Sequence, residues 1–105
     1  MTLWNRFNSL FLSEQQKHLR ELKYQFESIL DKIPTEGAKS KGYIEQAFKT
    51  IEKRLSQNKH DEASIEILEN VEDEIKKLMN MIREYTKLKK EVLQNISDLL
   101  ELTNT

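Results

Sequence analysis

The sequence predicts an all-α fold, a small antiparallel helical bundle, and three observations carry that prediction. Two glycines and one proline in 105 residues are too few for a β architecture with tight turns. Apolar residues recur at intervals of three and four through most of the chain, the period of one helix face. From Glu62 to Leu102 there is neither glycine nor proline, so a single long helix is possible there. The length suits one domain, residues 1–105. With 37% apolar and 33% charged residues, the expected core is a narrow seam of the kind that a partner often completes.

The elements follow in order. Residues 1–12 form an aromatic N-terminal segment in which Thr2 can cap a short helix. Ser13 followed by Gln16 reads as a capping box, which satisfies backbone donors at a helix start. The helix it opens, 13–33, carries Leu19, Leu22, Phe26, Ile29 and Ile33 on one face, and Pro34 ends it. Residues 34–42 have loop composition. A second helix is expected over 43–57, with Ile44, Ala47, Phe48, Ile51 and Leu55 along one side. After a short break that Asn58 or Asp61 can close as a cap, the third helix runs over 61–102.

That third helix dominates. Leu68, Val71, Ile75, Leu78, Ile82, Tyr85, Val92, Ile96 and Leu99 hold alternating a and d positions of a heptad, interrupted by Lys89. Ile65, Ile67, Met79, Met81, Leu88, Leu93, Leu100 and Leu102 widen the seam on both flanks. A seam this wide contacts more than one neighbour, which predicts a bundle rather than a plain two-stranded coiled coil. The two shorter helices either stack end to end against it, or part of it projects and meets a second copy. The sequence therefore predicts a homodimer.

The net charge of −1 gives no general attraction to nucleic acid or to an anionic membrane. The layout is uneven: residues 1–60 hold 11 basic and 7 acidic side chains, and residues 61–105 hold 6 and 11. Acidic residues at the start of the third helix suit its dipole and face the basic end of the second helix in a hairpin. The same sign change can set the register of an antiparallel dimer. Cysteine is absent, which removes disulfides and Cys-containing zinc sites. No run approaches a membrane span, and the first residues lack the pattern of a signal peptide, so a cytoplasmic location is expected.

Trp4, Phe7 and Phe11, with Leu3 and Leu10, fall at helical spacing in the N-terminal segment. Continued into the next helix, they would lie opposite the Leu19/Leu22 face. The expectation is a short helix folded over the bundle end, with part of its aromatic edge open to a protein partner. Insertion into a membrane surface is the other use of such residues, although Arg6 alone supplies basic charge.

Little else carries chemistry. His18, Glu14 and Glu21 share a helix face opposite the Leu19/Leu22 seam, where solvent is expected, and the paired Glu-x-x-His motifs of carboxylate-bridged metal bundles are missing. No phosphate loop, nucleophile elbow or zincin motif occurs. Arg54 and His60, five residues apart at the junction of the second and third helices, resemble the Arg-x(4–6)-His motif of HEPN ribonucleases. That resemblance implies a small dimeric helical bundle that binds and cleaves RNA phosphodiesters without a metal. The residues alone read as a surface arginine and a helix-end histidine.

The function expected from these features is a non-enzymatic helical interaction module that acts through a partner protein and self-associates, without cofactor or metal. Toxin-immunity proteins, secretion chaperones and phage or plasmid accessory proteins share its size and architecture, an analogy of form alone. A ribonuclease using Arg54 and His60 is the alternative, and membrane association through the N-terminal aromatics is a second one.

Overall fold

The structure is a computed structural model that describes residues 13–104. Those residues form three α-helices and two short 3-10 turns, with no strand among them: α1 (Ser13–Ile29), 3-10 turns at Leu30–Lys32 and Thr35–Gly37, α2 (Ala38–Ser56) and α3 (Glu62–Thr103). The fold is all-α and elongated, with extents of 77 × 28 × 17 Å.

Length explains the shape. At 1.5 Å per residue α1 and α2 span roughly 26 and 28 Å, whereas α3 spans roughly 63 Å. The two short helices do not stack end to end. They lie beside each other along the first half of α3. Gln15 near the start of α1 meets His60, just ahead of α3. Ser40 near the start of α2 reaches Glu74, and Arg54 near its end reaches Ser64.

The core follows from the predicted faces. Leu19, Leu22, Phe26 and Ile29 of α1 meet Ile44, Phe48, Ile51 and Leu55 of α2 and Leu68, Val71, Ile75 and Leu78 of α3, all buried. Phe26 and Phe48 contact edge to face, their centroids 5.7 Å apart, an arrangement that suits the ring quadrupoles. A Lys23–Glu52 ion pair spans the same two helices at the surface.

Two boundaries differ from the sequence reading. Helix α1 ends at Ile29 and tightens into a 3-10 turn over residues 30–32 rather than continuing to Ile33, which is extended ahead of Pro34. Residues 34–42 are not a loop throughout, because Thr35–Gly37 is already helical and α2 begins at Ala38. The first turn of α2 has no side-chain cap. The 3-10 turn occupies that place instead: Gly37 N–H donates to the Pro34 carbonyl at 2.9 Å and Ala38 N–H to the Thr35 carbonyl. Gly37 is needed there for room. A Cβ on it would lie 2.8 Å from both Ile33 Cγ2 and Leu78 Cδ2, where the connection crosses α3.

The core stops at that crossing. Leu78 is fully buried, Met81 and Ile82 are half-buried, and every residue from Arg83 to Asn104 is exposed. Among the described residues no helix is long and apolar enough to cross a membrane.

Candidate protein-interaction surface

Beyond Ile82, α3 keeps the pattern of a buried helix while its residues stand exposed. Tyr85, Leu88, Val92, Leu93, Ile96, Leu99 and Leu100 are 44–62% exposed, and they continue the seam of Leu68, Val71, Ile75 and Leu78. At 100° per residue the arc from Leu88 to Leu93 is about 140° wide, with Lys89 as its one charged member. Arg83, Glu84, Lys87, Lys90, Glu91, Gln94, Ser97, Asp98 and Glu101 occupy the other side. The surface is thus a stripe about 25 Å long on a helix that, among the described residues, packs into the core along its first half.

The base is tied down at Tyr85. Its hydroxyl hydrogen-bonds the Glu36 carboxylate, which lowers the Glu36 pKa and raises that of Tyr85.

The Arg54–His60 junction is built differently. Asn58, with φ 59°, takes the left-handed conformation that ends α2. Lys59 N–H donates to the Arg54 carbonyl at 2.9 Å and Asn58 N–H to the Leu55 carbonyl at 3.1 Å, so the last carbonyls of α2 are satisfied. Asp61 then caps α3, accepting from Ser64 N–H at 3.0 Å. Arg54 grips that cap. Its Nη2 donates to both Asp61 oxygens at 2.7 Å, and its Nε donates to Ser64 Oγ at 3.0 Å. Buried Ser64 Oγ in turn donates to the Lys59 carbonyl at 2.5 Å. The Arg54 hydrogen bond, followed by that from Ser64 N–H, brings the Asp61 pKa down to about 2.

His60 Nδ1 lies 2.7 Å from Gln15 Oε1, which joins the junction to the start of α1. The structure therefore gives both residues of the ribonuclease-like pair contacts that fasten the ends of the three helices. The sequence carries the helix cap as Asp61 ahead of Ser64, but gives no sign of the arginine that spans it.

His18 is placed otherwise than its helix phase suggested. It is half-buried rather than solvated, with Nε2 3.6 Å from Glu72 on α3, and it does not gather Glu14 and Glu21 around it. Among the described residues no cluster of three or more His, Cys, Asp or Glu side chains could hold a metal ion. Trp4, Phe7 and Phe11 lie outside the described residues. What the sequence signalled only as a choice, cover within the chain or projection, is the feature that sets the candidate surface. No family model, curated protein or solved structure matches the chain.

Proposed function

We propose that this protein is a non-enzymatic interaction module, a small antiparallel helical bundle that holds out the end of α3 as a docking surface for a protein helix. One observation carries the reading: seven large apolar residues at core spacing, Tyr85 to Leu100, stand exposed on a helix whose first half is fully packed. A free helix of about 20 residues has little stability of its own in water, so this stripe is stabilised by whatever it binds. Scattered exposed apolar residues are ordinary, but a contiguous stripe of this size marks an association site. The Arg54 cluster and the apolar core then serve as the rigid base, and the work is done by surface complementarity rather than by bond chemistry.

Photo-crosslinking tests this directly. A photoreactive residue at Leu99, in the cells that make the protein, is expected to yield a discrete protein adduct, whereas the same residue at Arg83 on the opposite face is expected to yield none. Equal and diffuse labelling from both positions, or no protein adduct from Leu99, would remove the docking role.

A further inference from the structure

We infer that the occupant of the exposed α3 stripe is the same stripe of a second copy, laid antiparallel and centred near Gln94. The inference rests on the docking role proposed above and adds the occupant, its direction and its register.

Lys89, the one charge within the stripe, sets the direction. Parallel copies in register would press the two Lys89 side chains against each other in the seam, which opposes association. Antiparallel copies place each Lys89 beside an apolar residue instead. With the outer faces included, residues 83–90 hold four basic side chains and one acidic, and residues 91–104 hold three acidic and none basic, so the antiparallel arrangement also aligns each basic half with the other's acidic half.

The end of the core sets the register. Leu78 is sealed and Ile82 half-buried, whereas every residue from Arg83 onward is exposed, so a second helix has room from Tyr85 onward. Full overlap of the exposed stretches brings Tyr85 level with Thr103 of the second copy. The apolar layers then coincide: Val92 is level with Ile96 and Leu88 with Leu100, while each Lys89 is level with Leu99. A single lysine within such a seam disfavours other registers.

The area is sufficient. Seven side chains exposed at 44–62% offer roughly 700 Å² per copy, or about 1,400 Å² for the pair, within the size range of specific interfaces.

Sedimentation equilibrium of the full chain, with pulsed electron resonance on an Asn104→Cys variant, tests this. The chain has no cysteine of its own, so the spin label is unique. The expected results are a 25 kDa dimer at tens of micromolar and a label separation of about 30 Å, from the 20-residue offset that the register imposes. Val92→Glu with Ile96→Glu should weaken the dimer at least tenfold, and mixing with Val92→Lys, Ile96→Lys chains should restore it as a one-to-one pair, because the register sets these two positions level. Both positions are exposed, and an unchanged circular dichroism melt at low concentration checks that the variants fold. A 12.5 kDa monomer throughout, or a dimer with its labels within 20 Å, overturns the inference. A monomer that still gives the face-specific Leu99 adduct to another protein overturns the second copy while leaving the docking role intact.

Discussion

Two isoleucines on one helix give the sharpest contrast in the molecule. Ile75 is 0% exposed and Ile96 is 48% exposed, although both hold a positions of the same heptad. Ile75→Ala removes a fully buried side chain from a contact with two other helices and should cost about 3–4 kcal/mol, within the range for core truncations. In the dilute monomer Ile96→Ala removes a side chain with little packed against it. Alanine also gains up to about 0.5 kcal/mol in helix propensity, so the net change should be within about 0.5 kcal/mol of zero. Urea denaturation followed at 222 nm, at concentrations where association is negligible, measures both. At higher concentration the wild-type midpoint should rise by mass action and the Ile96→Ala midpoint should not. If Ile96→Ala costs as much as Ile75→Ala at high dilution, the stripe is covered within the chain and the projection is refuted.

The glycines should respond in opposite directions. Gly37→Ala forces a methyl against Ile33 and Leu78 and should cost about 1–2 kcal/mol in a thermal melt. Gly42→Ala, in an exposed part of α2 with nothing within 4 Å of the new Cβ, should gain about 0.5–1 kcal/mol. Ser64→Ala leaves a buried Lys59 carbonyl and one arm of Arg54 without their partner, for a loss of about 1–2 kcal/mol. Asp61 has a folded pKa of about 2 against an ordinary 3.8. Its contribution is therefore complete above pH 4 and is lost as pH falls from 3.8 through 2. An Asp61→Asn variant should show a flatter stability profile across that window, and an unchanged slope would separate Asp61 from the acid response.

The helix faces were legible because each needs only local phase: Leu19 to Ile29, Ile44 to Leu55 and Leu68 to Leu78 are the core. Residues 34–42 were misread because glycine and proline signal local breaks, whereas Gly37 is there for its close approach to Leu78 and Gly42 is simply tolerated within α2. His18 was misplaced for a related reason. Helix phase put it opposite the Leu19/Leu22 seam, but α3 lies close enough on that side for Glu72 to meet it. The role of Arg54 is equally a matter of which element lies opposite. Its partners Asp61 and Ser64 are close in sequence, yet they come within reach only because the chain reverses at Asn58. Which half of α3 is covered was not readable from its own pattern, since Leu68 to Leu78 and Val92 to Leu99 have the same spacing. That distinction comes from the relative lengths of α1, α2 and α3 and from α1 and α2 lying side by side.

Amide hydrogen exchange across α3, at two protein concentrations, tests the central claim that residues 85–100 form a face closed by association. At high dilution the amides from Leu68 to Leu78 should exchange slowly and those from Leu88 to Leu100 quickly, because nothing holds the second stretch to the first. At tens of micromolar the Leu88–Leu100 amides should become protected while the Leu68–Leu78 amides change little. Slow exchange along the whole helix at high dilution, independent of concentration, would contradict it.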